Sequence, residues 1–502
     1  MVDRSDDAPQ SGSTAAWFTI ATLPFLVLVA FHWPLGPLSA LGDWAQYLLH
    51  AEALYRGRSY TETGYIFTAL NPFIGPQAQP PGLPAILVPI VAATDAARDQ
   101  TPYKLLMVAF ALAFMALAFT YFRRRTSAAI AAATTMVTGL WLEVSFVSNV
   151  VQPDVAFSAF VWAILCLADR PSTWTPRRVV AITLLGLLAL TFRAAAVPLV
   201  PALAAYAIAH RRATGWRPLA PVAVWLICGL IAALAVPEML SLARAIRPSR
   251  VVHNIAEAAA TYPYAVVELL LYPFPRNAAN DVYHAALAGV AVVGAIGWFR
   301  RESTSLLMMF AVLYIGMLLV LPFQDGRYLM PLAPLAVFAT WSGLATVTRW
   351  VAMRFGGVEQ RRVDHVVAGI AFVACALTVA TQMRQPRPKA LLDVPGVASI
   401  FSLLRNEHGR SPVRAMFVNP RVLTWETGIP AMGFFRASPD STLAELRAKG
   451  ITHVVVGDVN IDPYHFPFIA QAITERPEAF RSVFAEGVFT VYRFDSTRVQ
   501  RP

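Results

Sequence analysis

The stretch Leu41-Gly42-Asp43-Trp44-Ala45-Gln46-Tyr47 follows directly on a long apolar run, Trp17 to Leu35. A bilayer crossing takes about 20 apolar residues at 1.5 Å each, so this run spans, and Asp43 falls at the rim of the hydrocarbon layer. A carboxylate near lipid is costly, and such residues usually face a cavity or a reaction. Asp43 is therefore a candidate site residue, with the polar start of a loop as the plainer reading.

Composition extends this from one segment to the chain. Of 502 residues, 57% are hydrophobic and 14% charged, the balance of a multispanning membrane protein. The net charge of +11 does not mark a nucleic-acid binder, because the arginines gather in short clusters between apolar runs, as loop charges that orient membrane helices do. Cys166, Cys228 and Cys375 all lie inside apolar runs without metal-ligand or CxxC spacing, and read as packing residues. Met1 to Thr14 is polar and acidic, unlike the basic start of a cleaved signal peptide, so the first run reads as a retained helix preceded by a disordered cytoplasmic segment, 1–14.

The positive-inside bias places Arg123-Arg124-Arg125, Arg170 with Arg177-Arg178, Arg211-Arg212, Arg300-Arg301 and the stretch Arg349 to Arg362 on the cytoplasmic side. Apolar runs at 17–35, 103–122, 127–147, 150–168, 179–192, 194–209, 218–236, 284–299, 304–323, 328–348 and 365–382 let the chain cross between them. The N-terminus is then cytoplasmic and the C-terminal part outside. Leu83 to Thr94 and the Tyr- and Pro-bearing Tyr262 to Phe274 would reverse the later clusters if each crossed, so both read as re-entrant or interfacial; counting them gives 11–13 membrane helices. Arg244, Arg247 and Arg250 then lie in a long external loop, where the bias is weak.

That topology gathers polar groups at one external face: Asp43, the Asn149–Asp154 turn, Arg193, the 237–283 loop and Gln324-Asp325-Gly326-Arg327. Arg193 interrupts the apolar stretch Val179 to Ala209, where an arginine at a span centre costs about 2.5–3.5 kcal/mol. At a hairpin tip it snorkels more cheaply, and it is a candidate phosphate ligand. Arg327, opening Arg327-Tyr328-Leu329-Met330-Pro331, suits bidentate phosphate recognition or a pair with Asp325. Asp154 follows Pro153, which is also a helix-start pattern. Glu143 lies in the outer half of its run.

The first external loop reads Gly42-Asp43, Tyr47, Ala51-Glu52-Ala53-Leu54, Gly57, Tyr60, then Gln79-Pro80-Pro81-Gly82-Leu83-Pro84. This resembles the first loop of GT-C fold glycosyltransferases of the protein O-mannosyltransferase and aminoarabinose-transferase type, and Arg327-Tyr328-Leu329-Met330-Pro331-Leu332-Ala333-Pro334 resembles a late helix of such enzymes. The resemblance covers about residues 15 to 385. It implies a polyprenyl-phosphate-linked sugar donor, a glycan, lipid or protein acceptor, and inverting transfer at the external membrane face; the high content of Ala, Arg and Pro with few Lys points separately to a high-GC bacterial genome and so to a bacterial cell membrane. In that frame Asp43 activates the acceptor hydroxyl, with Asp154 as a second catalytic candidate. Arg193 and Arg327 stabilise the leaving phosphate, and Tyr47 and Gln79 line the substrate. Two departures stand out. Asp43 is followed by Trp44 where many mannosyltransferase-like members carry an acidic pair, and Ala78-Gln79 stands where aminoarabinose-type enzymes have Glu-Lys. A divalent cation shared by Asp43 and Asp154 is left open.

From about residue 386 the chain changes character. Val394 to Arg405 and Ser441 to Lys449 read as helices, the latter closed by Gly450; Val413 to Val418, Ile451 to Val456 and Val488 to Phe494 read as strands. The expected architecture is mainly α: a polytopic domain over 15–385 with its first external loop at 36–82, then a small extracytoplasmic α/β domain over 386–502, where Asp458 and His465 follow a strand. No P-loop, dinucleotide glycine pattern or HExxH occurs. The competing class is a transporter or flippase for a lipid-linked or anionic substrate, which would more often show internal repeats and broken helices at the midplane.

Overall fold

A computed structural model of the chain describes residues 11–32, 42–71, 79–94, 99–141, 144–145, 150–169, 174–235, 248–271, 278–322, 324–354, 359–384, 391–457 and 466–498. Glu143, Asn149, Arg170, Arg244, Arg247, Asp458 and His465 lie outside the described residues. The architecture is mainly α with a small α/β part toward the C-terminus. The chain divides into two compact units: Met1–Pro34 with Lys104–Asn149 and Pro153–Pro386, and Leu35–Tyr103 with Val150–Gln152 and Arg387–Pro502.

The first unit is helical. Among the described residues four helical segments are long and apolar enough to cross a membrane: Thr14–Phe31, Thr101–Arg123, Gly326–Arg354 and Arg362–Arg384. Shorter apolar helices include Ala128–Leu140, Pro153–Ala168, Ala194–Ala209, Leu219–Ala232 and Leu306–Val320. Their ends follow local chemistry. Ser127 accepts from Ile130 N, Thr175 from Arg178 N with Pro176 at the first helical position, and Ser305 from Met308 N. Ala128–Leu140 is buried along nearly its whole length because its residues are small, and Thr134, Thr135 and Thr138 return their hydroxyls to carbonyls one turn back at 2.8–2.9 Å. Ser11–His32 and Gln360–Arg384 pack on it. Ala278–Glu302 crosses Ala333–Arg354 so closely that a Cβ on Gly294 would stand 1.8 Å from the Ala339 carbonyl oxygen, and one on Gly343 1.9 Å from that of Val290. Tyr121, Phe122, Trp162, Trp298 and Phe338 form an aromatic core beside that crossing, with Phe122 stacked on Phe338 at 4.4 Å.

Two expected runs take a different form. The 127–147 run breaks after Leu140, at Trp141. The apolar stretch from Tyr262 continues a helix, Val251–Leu271, that begins in a polar sequence and carries Pro263 inside it.

The second unit joins the first loop to the C-terminal segment. A five-stranded sheet, of strands β1 (Ala415–Met416), β2 (Ala431–Met432), β3 (His453–Val456), β4 (Phe480–Glu486) and β5 (Phe489–Phe494), has the order β2-β1-β3-β5-β4. β1 pairs parallel with β2 and β3, while β5 pairs antiparallel with β3 and β4. Period-2 alternation sends Ala415 and Val455 to one face, under Ile400, Phe401 and Leu404 of the helix Val397–His408; Met416, Val454 and Val456 go to the other, against Leu443, Leu446 and Ile469. The short strands β1 and β2 sit inside longer buried runs, so the apolar pattern of Val413 to Val418 overstates the paired length.

The first loop extends this sheet. Tyr65 bridges Ala431 in parallel, Ile66 N donates to Ala431 O at 2.7 Å, and Ala431 N donates to Gly64 O at 3.1 Å. Asn71 Nδ2 donates to Phe434 O. Helices Asp43–Tyr55 and Gly82–Ala93 pack on each other, and Pro420–Thr427 packs on the former.

Candidate functional site

Asp43 opens the helix Asp43–Tyr55 after Gly42, whose φ of 60° is left-handed. A Cβ on Gly42 would stand 2.3 Å from Asn419 Oδ1, so a side chain there would push the Asn419 amide aside as well as strain the left-handed backbone. Two residues beyond Asn419, Arg421 Nη1 donates to Asp43 Oδ1 at 2.6 Å. Arg421 is fully buried, whereas the Asp43 side chain keeps 28% exposure. The guanidinium lies 4.8 Å over the Tyr65 ring, a cation–π contact, and burial pushes the Tyr65 phenol above its ordinary value, against the neighbouring Arg421 charge. Trp44 and Trp425, of the same two helices, meet edge to face at 6.5 Å.

Behind Asp43 on the same helix runs a buried polar network. His50 Nδ1 lies 2.7 Å from Tyr60 O; its Nε2 lies 3.0 Å from Gln46 Nε2 and 3.3 Å from Gln79 N. A carbonyl on one side and N–H donors on the other assign a neutral ring protonated at Nδ1. Tyr60 stacks on His50 at 4.2 Å and donates from its hydroxyl to Gln79 O at 2.6 Å. Burial, then Tyr47, push the Tyr60 phenol up. Gln79 is thus held through its backbone, immediately before Pro80-Pro81, and Tyr47 is buried in the helix.

In the first unit, Asp154 and Arg193 meet. Asp154 is the second residue of Pro153–Ala168, only 2% exposed, and Arg193 Nη1 donates to its Oδ1. Arg193 is extended backbone between Pro176–Phe192 and the short 3-10 turn Ala194–Ala196, ahead of Pro198, which cannot donate to a continuing helical ladder. Tyr328 brings the second cation alongside: its ring lies 5.0 Å from the Arg193 guanidinium and 6.0 Å from that of Arg327. Asp325 starts the 3-10 segment Gly326–Leu332 by accepting from Arg327 N at 3.1 Å, and takes Arg327 Nε at 2.7 Å. Tyr314 OH donates to Tyr328 O and Trp162 Nε1 to Pro331 O, both at 2.9 Å, anchoring that segment from within. Leu329, Leu332, Ala333 and Ala336 line an apolar pocket with Trp141 and Ala265.

Asp154, Arg193 and Arg327 are therefore brought together in one unit, and Asp43, Tyr47 and Gln79 share the other. Arg421, Asn419 and Tyr65 are additions that sequence reasoning missed, since nothing local links position 43 to a turn near position 420. Tyr328 was in view as part of its motif.

A cavity of about 280 Å³ lies elsewhere in the helical unit. It is lined by Tyr121, Arg124, Arg125, Cys166 and Asp169 beyond the other end of Pro153–Ala168, about 22 Å of helix rise from Asp154. Arg124 Nη1 donates to Cys166 O at 3.1 Å, and Arg125 and Tyr121 OH hold Asp169 at 2.5 Å, the work of cationic side chains at a helix C-terminus.

Asp43 belongs to the second unit and Asp154 to the first. Each already takes a guanidinium, whose charge opposes a cation at the same oxygens, and among the described residues no three His, Cys, Asp or Glu side chains assemble.

No protein-family model and no curated protein sequence matches the chain. Solved structures do. ArnT from Cupriavidus metallidurans in the apo state matches with a TM-score of 0.57 at 13% identity, over 98% of this chain and 100% of that one. Its form bound to undecaprenyl phosphate matches at 0.52 and 12%, over 98% and 100%. The archaeal oligosaccharyltransferase AglB from Archaeoglobus fulgidus, in complex with an inhibitory peptide and a dolichol-phosphate, matches at 0.56 and 12%, over 97% and 75%. Both are GT-C folds, and the chain shares that fold, as its first loop and late helix imply.

Proposed function

We propose that the chain is an integral-membrane glycosyltransferase that moves a sugar from a polyprenyl-phosphate-linked donor to an acceptor hydroxyl on the extracytoplasmic face. The observation that carries this reading is the pair of guanidinium groups, Arg193 and Arg327, flanking Tyr328 in the helical unit. Two guanidinium forks brought to one tyrosine ring suit a ligand with an anionic head. The fold supports it, because ArnT with this fold has been solved with undecaprenyl phosphate and AglB with dolichol-phosphate.

Asp43 and the two arginines take separate parts of the chemistry. Asp43 takes the proton of the acceptor hydroxyl as its oxygen bonds to the anomeric carbon, a general-base role. The bond from that carbon to the phosphate oxygen breaks from the opposite side, its electron pair leaves on the phosphate, and the configuration inverts. Arg193 and Arg327 stabilise the charge that develops on the departing polyprenyl phosphate. A guanidinium has five N–H donors in a fixed fork, so Asp154 and Asp325 orient these two side chains rather than consuming them. Asp154 thus acts on the leaving group through Arg193. Gln79, held by its backbone, and Tyr47 shape the acceptor side.

Purified protein is tested for sugar release or transfer from a panel of polyprenyl-phosphate hexoses and pentoses, with Asp43→Asn beside the wild type. Turnover in the wild type, lost in a folded D43N protein that still binds donor, is expected. Equal turnover in both removes Asp43 from the chemistry, and no turnover by either across the panel favours a transporter or flippase.

A further inference from the structure

We infer that Arg421, in the C-terminal segment, is the positioning residue of the Asp43 carboxylate, which makes that segment a working part of the acceptor site. The inference rests on the role proposed for Asp43. The two residues are 378 positions apart, and their bond at 2.6 Å joins a side chain at the start of one helix to the first turn of another.

Tyr65 and the local backbone restrict where the Arg421 guanidinium points. The side chain is fully buried, so it has no solvent to wander into. Tyr65 covers the guanidinium at 4.8 Å, and Tyr65 is itself fixed, through its bridge to Ala431 and the adjoining Ile66 N to Ala431 O bond of 2.7 Å. The backbone that carries Arg421 is set by Pro420 at the helix start and by Asn419 against Gly42. These contacts leave the guanidinium aimed at Asp43 Oδ1.

The consequence for Asp43 is orientation. An aspartate at the first position of a helix ordinarily turns its carboxylate back to the exposed N–H groups of the first turn. Here Oδ1 accepts from Arg421 at 2.6 Å, so the carboxylate is held from outside its own helix as well. A base must reach hydrogen-bond distance of the proton it takes, and displacing a reacting group by about 1 Å costs on the order of 100-fold in rate. Arg421 does not touch the reacting atoms; it acts through Asp43.

The test compares wild type with R421M, R421K, Y65L and D43N by sugar release from polyprenyl-phosphate sugars, with size-exclusion profile and thermal midpoint recorded for each. R421M, which keeps length and apolar bulk, is expected to lower kcat by about 100-fold with the donor KM unchanged. R421K, which restores a cation without the planar fork, should recover about a tenth of the wild-type rate, intermediate between the two. Y65L leaves the ion pair but removes the ring that steers it, and should lower kcat less than R421M does; it carries the test if R421M does not fold. Wild-type kcat in folded R421M, or in Y65L where R421M fails to fold, overturns the inference. So does a change confined to KM. Inactive D43N beside fully active R421M overturns this inference alone, whereas full turnover by D43N overturns the role of Asp43 and the inference with it.

Discussion

Arg193 and Asp154, 39 positions apart, form an ion pair within the helical unit, with the Asp154 carboxylate almost fully buried. A buried charge that loses its partner is stranded in low dielectric, whereas removing both can be nearly neutral. Asp154→Ala or Arg193→Met alone should therefore destabilise the protein by about 3–5 kcal/mol, and the D154L/R193M double variant should regain most of that. Thermal midpoints in detergent read the difference. The recovered double variant should still turn over at least about 100-fold more slowly, as expected on losing a donor to a developing anion. A double variant as unstable as either single would contradict the pairing, and one that is both stable and active would remove Arg193 from phosphate stabilisation.

His50 holds Gln79 and Tyr60 in place from a site with no exposure. His50→Leu strands the Tyr60 carbonyl and the Gln79 N–H, at about 1–3 kcal/mol each. A lower thermal midpoint is expected, together with slower turnover as Gln79-Pro80-Pro81 loses its anchor. His50→Gln, which retains polar atoms near those groups, should be milder on both measurements; equal effects of the two variants would show that ring shape matters more than hydrogen bonding.

The Gly294–Gly343 crossing admits no side chain, because the nearest atoms are backbone carbonyls that cannot rotate away. Gly294→Val forces the helices Ala278–Glu302 and Ala333–Arg354 apart, which should cost about 3 kcal/mol or more and abolish a monodisperse gel-filtration peak. Gly316→Ala, in Leu306–Val320 with nothing near its Cβ position, should be tolerated or slightly stabilising by up to about 1 kcal/mol. Similar behaviour of the two variants would refute the close approach.

His453 predicts an acid weakness in the second unit. Burial holds its imidazole below the ordinary 6.5, against Glu407, whose Oε2 lies 2.8 Å from Nε2 and favours the charged ring. The folded state therefore binds this proton less readily than the unfolded chain, and stability rises with pH across the window just below 6.5. The contribution is fully present above 6.5 and is lost as pH falls through the lowered value. Thermal midpoints between pH 7.5 and 5 should decline in the wild type and decline less in His453→Gln; parallel curves would exclude His453 as the source.

Much of the membrane part was legible because hydropathy and helix ends are local. Runs of apolar residues map onto helices whose boundaries follow Ser127, Thr175-Pro176 and Ser305, each capping its own first turn. Asp154 and Arg193 were singled out because a charge in an apolar run is conspicuous whatever it pairs with. The second unit was less legible. The helix Pro420–Thr427 and strand β4 escaped notice: the first is short and polar on average, and the second is an edge strand with most of its residues exposed, so neither shows a strong period.

The sequence by itself determined the class of protein, the positions of the apolar helices, the alternation of the C-terminal strands and the identity of the unusual charges. These depend on the partition of each side chain between water and an apolar medium, and on hydrogen bonds closed within a few residues. Only the tertiary structure decided that Asp154 answers Arg193, that Tyr328 stands between two guanidinium groups, and that Arg421 reaches Asp43 past Tyr65. An ion pair across hundreds of residues leaves no periodic trace, since its energy depends on where two backbones come to rest and on how much water they exclude.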